Sequence, residues 1–252
     1  MTDLVDTINP VNNPEQAVQE FVGEQFIEWL RDYIPHEMKT WRVITELERI
    51  ETSPSKTKKF MLQKFLAHEA FCGTREGDPG LLRFAIANLS ESDDPQAEAA
   101  LEILERRHES ELAENDANRK SWHGLLGALG ATDEEIARTE SKEPTRNYIA
   151  ELSDLCSNSD WQTALGVIVA LDASAVAEYQ TLIRLLKKNT LLTDKNLECL
   201  SGFSTNKGVV ETRHILDKVV FDEADKQLIW EGVHKQLLVR TALLTNLAKY
   251  LS

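Results

Sequence analysis

Apolar residues recur at three- and four-residue intervals along nearly the whole chain, and no segment sustains the alternation that marks a half-buried strand. The pattern predicts helices throughout. One runs from about Gln19 to Tyr33 with Phe21, Phe26, Trp29 and Leu30 on its buried side, and Pro35 is expected to end it. A second, from His36 to Glu51, carries Met38, Trp41, Ile44 and Leu47. Ser53 followed by Pro54 signals the start of a third, whose apolar stripe is Phe60, Met61, Leu62, Phe65 and Leu66 and whose end is Gly73. Leu81 to Leu89 makes a short helix. The acidic run SESDD opens a longer one that is expected to break near Asn115 and to resume from Arg119 to Leu129 before Gly130. An Asx or Thr cap in ATDEEI opens a short acidic helix and Pro144 starts the next. Trp161 to Lys188 reads as a helix pair or one kinked helix, Thr193 to Leu200 is short, and Asn206 to Val220 and Asp222 to Tyr250 complete the set. The last hundred residues contain no proline, which favours a bundle.

This pattern gives an all-α fold in one domain, residues 18–252, preceded by a polar, Asn/Pro-rich arm over residues 1–17. A chain of 252 residues with 42% hydrophobic content can bury a sizeable core. Its 42 acidic and 28 basic side chains leave a net charge of −14, with no basic stripe to meet a phosphate backbone, so neither nucleic acid nor an anionic membrane is an expected partner. No apolar run is read as reaching a bilayer span and no leader pattern opens the chain, so a cytoplasmic location is expected. Cys72, Cys156 and Cys199 are widely spaced and read as free thiols. A homodimer stays open.

The candidate chemistry lies in spacings. Lys207, Glu211 and His214 stand at i, i+4 and i+7 in NKGVVETRH, and Glu111 and Asn118 are two turns apart, so each set returns to one helix face. Asp172 is an isolated carboxylate in the apolar run GVIVALDASAV, where burial demands a partner. A Lys/Glu pair at i, i+4 is also a common solvated surface pair, worth only tenths of a kcal/mol. No GxGxxG, Walker loop, HExxH or GxSxG occurs.

These segments resemble the heme-oxygenase-like superfamily: the TenA-type and PqqC-type proteins and the diiron oxidases, including the iron-containing redox enzymes. HEMKTWRVITELERIETSPSKTKKFMLQKFLAH resembles their N-terminal helix pair, ESELAENDANRKSWHGLLGALGATDEEI their central stretch, and the segment from Gly166 to Tyr179 a third element. The resemblance implies a TenA-like bundle of about eight to ten helices. Carried over residue by residue, it makes Glu111, Asn118, Asp172, Lys207, Glu211 and His214 the six ligand positions of a two-iron centre.

Two of these positions depart from the family pattern. Asn118 stands where a His belongs, and so does Lys207, whose ammonium has three donors and no acceptor. What remains is a degenerate site with one iron or none. Glu111, Asp172, Glu211 and His214 are its metal candidates; Asp172, Glu211 and His214 its catalytic candidates; and Lys207, Asn118, Tyr179 and His68 the substrate pocket. Lys207 would supply the missing positive charge by pairing with Glu211 or Asp172. Asp116 and His123, again two turns apart, are held in reserve. The implied function is oxidation of a small amino- or N-heterocyclic metabolite with O2. A TenA-like hydrolase or binding protein is the alternative, and a non-catalytic, partner-binding descendant a third.

Overall fold

The computed structural model describes residues 14–21, 24–73, 80–203 and 222–252. Among these residues there are eleven α-helices, one 3-10 turn and no strand. In order they are α1 (Pro14–Glu20), α2 (Glu24–Thr40), α3 (Arg42–Arg49), α4 (Pro54–Cys72), α5 (Gly80–Ser90), α6 (Pro95–Ala128), α7 (Asp133–Arg138), α8 (Glu143–Asn158), α9 (Trp161–Asn189), the 3-10 turn Asp194–Leu197, α10 (Glu198–Phe203) and α11 (Glu223–Ala248).

Local signals place most of the helix ends. Ser53 Oγ accepts from Lys56 N with Pro54 in the first turn, Asp94 caps α6 ahead of Pro95, and Thr132 Oγ1 accepts from Glu135 N. Asp222 and Asp225 form a reciprocal capping box on α11. At the end of α6, Gly130 takes φ +83°, which turns the chain so that Ala131 N–H reaches Leu126 O at 2.9 Å.

Several expectations change. Pro35 lies inside α2 rather than ending it, and the helix expected from His36 begins instead at Arg42 as α3. The Pro35 ring forfeits one backbone hydrogen bond, but Leu30, Ile34 and Met38 stay fully buried on the same side of the helix, which offsets that loss. The break near Asn115 does not occur, since α6 runs unbroken over 34 residues and Asn115 Nδ2 donates to Gly73 O, tying α6 to the end of α4. Residues 14–17 of the expected arm belong to α1, while residues 1–13 lie outside the described residues.

α9 is a single helix and the centre of the bundle, buried over nearly its whole circumference. By length and composition it could cross a membrane, contrary to the reading that no apolar run is long enough, yet 72% of that stretch is buried inside the bundle. It crosses α11 at two reciprocal glycines. A Cβ on Gly166 would lie 2.1 Å from Ile229 O, and one on Gly232 would lie 2.1 Å from Thr163 O. Both obstacles are backbone, so the helices themselves must separate to admit a methyl group. Gly166→Ala is therefore expected to cost about 1–3 kcal/mol, read as a lowered midpoint in thermal melts. A melt unchanged from wild type would show that the crossing yields freely.

Candidate functional site

Six helices leave a cavity of about 500 Å³ between them, of the size that holds a small metabolite. α4 contributes Lys64, Ala67, His68 and Phe71, at i, i+3, i+4 and i+7 on one face. α6 contributes a stripe from Arg107 through Glu111, Glu114 and Asn118 to Ser121. α9 lines it with Asp172 and Tyr179, α8 with Tyr148, α11 with Arg240, and α10 with Glu198 and Cys199.

Two buried ionic clusters meet this cavity. In the first, Arg107 grips Asp172 with both terminal nitrogens, at 2.5 and 2.7 Å, while its Nε donates to Glu111 Oε1 at 2.8 Å. The side chains of Arg107 and Asp172 are only 3% and 8% exposed, so the pairing is desolvated and two-pronged. Phe71 places its ring face 5.5 Å from the guanidinium carbon. Burial alone would lower the Arg107 pKa, but Asp172 and then Glu111 outweigh it and raise it, so the guanidinium keeps its charge.

In the second cluster, Lys64 pairs with Glu178 Oε1 and Arg240 Nε lies 3.2 Å from Glu178 Oε2. Arg240 also donates to Leu171 O at 3.2 Å and to Ser174 Oγ. Burial lowers the Lys64 pKa against the pull of Glu178. Burial would raise the Glu178 carboxyl, yet Lys64 and Arg240 together hold it below the usual carboxylate range.

Between the clusters, Tyr179 Oη and His68 Nδ1 share a hydrogen bond at 3.3 Å whose direction depends on the imidazole tautomer, with Trp122 against both rings. Burial, and then Lys64, push the His68 pKa down to about 4, partly opposed by Glu178. An unfolded imidazole titrates near ~6.5, so the unfolded chain takes up this proton first and stability falls as pH drops from about 6.5 towards 4. Over that interval His68→Gln is expected to lose less melting temperature than wild type. An NMR titration placing the folded His68 ring near its ordinary pKa would overturn this. The Cys199 thiol is pushed up to about 11 by burial, so it is protonated near neutral pH and is no ready nucleophile.

Of the residues singled out from the sequence, Glu111, Asn118, Asp172, Tyr179 and His68 all line this one cavity. Lys207, Glu211 and His214 lie outside the described residues. Asp116 is exposed, and His123 stands edge-on to Phe65 with Nδ1 3.6 Å from Asp133; neither lines the cavity. The cation found on Asp172 is Arg107, which the spacing argument did not pick out. Lys64, Tyr148, Glu178 and Arg240 were also missed.

A metal shared by Glu111 and Asp172 meets a specific obstacle. Both carboxylates bind the Arg107 guanidinium, which offers no lone pair and would set a fixed positive charge against any dication held there. Asn118 supplies only an amide oxygen. Among the described residues no three His, Cys, Asp or Glu side chains converge as a metal set. The described part of the ligand set does not fit a metal.

No protein-family model and no curated protein matches this chain. Solved structures do. A domain of unknown function with a heme oxygenase-like fold from Shewanella denitrificans aligns over 90% of both chains at 14% identity and a TM-score of 0.65. A TenA homologue from Pseudomonas syringae covers 96% of this chain and 98% of its own at 11% identity, also with a TM-score of 0.65. A CADD-like protein of unknown function from Nostoc punctiforme covers 88% and 94% at 14% identity, with a TM-score of 0.68. The chain has the heme-oxygenase-like, TenA-like helical fold.

Proposed function

We propose that the cavity is a small-molecule site and that the chain is an oxidoreductase acting on a small amino- or N-heterocyclic metabolite with O2, by chemistry that needs no two-metal centre. The observation that carries this reading is the placement of Arg107 between Glu111 and Asp172 on the wall of the cavity. It supplies, as a fixed side chain, the positive charge that the resemblance would assign to a cation. Asp172 and Glu111 orient a ligand nitrogen, and the neutral His68 with Tyr179 exchanges hydrogen bonds with a ring heteroatom. Glu211 and His214 remain candidates for acid–base work.

A second reading, TenA-like hydrolysis, is favoured by one observation: Cys199 stands on the cavity wall. It requires a ligand that lowers the thiol pKa, because burial alone keeps the proton on sulfur.

The two separate in one experiment. Protein purified without chelator is screened by thermal shift against amines and nitrogen heterocycles. Each stabilising compound is then followed for O2 uptake and for hydrolysis products, with and without a chelator. O2 uptake that persists in chelator supports the proposal. Hydrolysis without O2 uptake favours the second reading; uptake abolished by chelator overturns the metal-free form of the proposal, and uptake that requires two metals per chain overturns it altogether.

A further inference from the structure

We propose that Lys64 is a covalent attachment site, at which a small aldehyde or ketone held in the cavity condenses with the side-chain amine to form an imine; this rests on the small-molecule reading above. Lys64 stands on the cavity face of α4, one turn before His68, and its side chain is only 5% exposed. Its ammonium is ion-paired with Glu178 Oε1, whose own side chain is 1% exposed. Arg240, on the wall of the same cavity, approaches the other oxygen of Glu178 at 3.2 Å.

This setting suits the amine to addition. A nucleophilic lysine must first give up a proton, and burial lowers the Lys64 pKa, with Glu178 opposing and Arg240 adding to the lowering. Glu178, already paired with the ammonium, is placed to take that proton. The amine nitrogen then attacks the carbonyl carbon, and the C=O π pair moves to oxygen, which takes a second proton from nitrogen. Glu178 returns its proton to the new hydroxyl, the C–O bond breaks with loss of water, and the nitrogen lone pair closes the C=N bond. Ammonium plus carbonyl thus gives iminium plus water.

The ion pair also selects the kind of electrophile. Nitrogen carries one positive charge before and after the condensation, so Glu178 keeps its partner whatever other charges surround the cluster. An acyl donor would instead leave a neutral amide beside a buried carboxylate, which breaks the pair and strands the charge. Carbonyl compounds are the class that this lysine accepts without that loss. Since Asp172 and Glu111 orient a ligand nitrogen in the reading above, the fitting molecule is a nitrogen heterocycle that bears a carbonyl group.

The test incubates the full chain with limiting isonicotinaldehyde, reduces any imine with cyanoborohydride and maps the labelled lysines by peptide mass spectrometry. Exposure alone ranks Lys64 behind the exposed Lys59 of the same helix and behind Lys120. Lys64 should nevertheless be labelled at least about tenfold more than either, through the effective concentration that binding in the cavity gives. Thermal shift supplies a second readout. The aldehyde should stabilise wild type more than its alcohol, which has the same ring and cannot condense. Lys64→Arg, which keeps a cation beside Glu178, should respond equally to both. Labelling that follows exposure, or equal stabilisation of wild type by aldehyde and alcohol, overturns the imine site. Should Lys64→Arg fail to fold, the wild-type labelling order decides alone. If the imine site falls while the alcohol or another compound of the earlier screen stabilises the chain, the small-molecule reading stands. If no compound does, both fall.

Discussion

Replacing Arg107 by methionine is expected to destabilise the chain by about 3–5 kcal/mol, the usual cost of removing one partner of a buried ion pair. At this chain length that corresponds to a fall of roughly 6–20 °C in melting temperature. Methionine keeps much of the side-chain volume, so the loss reads charge rather than packing. The guanidinium is what lets Asp172 and Glu111 face the same buried volume; without it their mutual repulsion favours protonation of one of them. The variant should regain stability on mild acidification, whereas wild type should lose it because the unfolded chain protonates His68 while the folded ring stays neutral. A second readout follows from the same geometry. With the fixed cation gone, the two carboxylates lose the positive charge that opposes a dication, so iron or manganese retained by the purified variant should exceed that of wild type. A variant that melts within a degree or two of wild type and takes up no more metal would show that Arg107 does not hold the cation position.

The helix pattern was readable where the determinants are local. Ser53, Thr132 and Asp222 announce helix starts through side-chain oxygens that satisfy backbone N–H groups within three residues, and Gly130 ends α6 because φ +83° suits glycine. Pro35 and Asn115 misled for a common reason: each carries a local preference that packing overrides. Around Pro35 the override is the buried row Leu30, Ile34 and Met38. Around Asn115 it is the continuous cavity-facing stripe of α6, together with the Asn115 bond to Gly73. Neither is visible without knowing what lies opposite.

The site was legible by one kind of argument and hidden from another. Asp172 stood out as a lone carboxylate in an apolar helix, and the same physics applies to Lys64 in FMLQKFLA, Glu178 in SAVAEYQ and Arg240 in QLLVRTALL, each an isolated charge among apolar neighbours. Followed consistently, that signal would have found the whole second cluster. Arg107 could not have been found so. It sits in ERRHESE beside the exposed Arg106, and in a stretch that polar nothing in composition separates the buried arginine from its neighbour. Its partner is 65 residues away on another helix, a pairing that only the folded bundle makes.

The second large effect is expected at Glu178. Its carboxylate is 1% exposed and is the anion shared by Lys64 and Arg240, so Glu178→Gln leaves two buried cations together and should also cost about 3–5 kcal/mol. The isosteric amide excludes a cavity as the cause. Because Lys64 and Arg240 hold the folded carboxyl below its usual range, its stabilisation is complete above the unfolded pKa and is lost as pH falls through the lower folded value. That acid-side component should be missing from the Glu178→Gln melt series. The pairing predicts non-additivity as well. Adding Lys64→Met to Glu178→Gln removes one of the two uncompensated cations, so the double variant should be more stable than the sum of the single losses, by a coupling of about 1–3 kcal/mol. Additive losses in chemical denaturation would show that Lys64 and Glu178 are buried side by side without depending on each other.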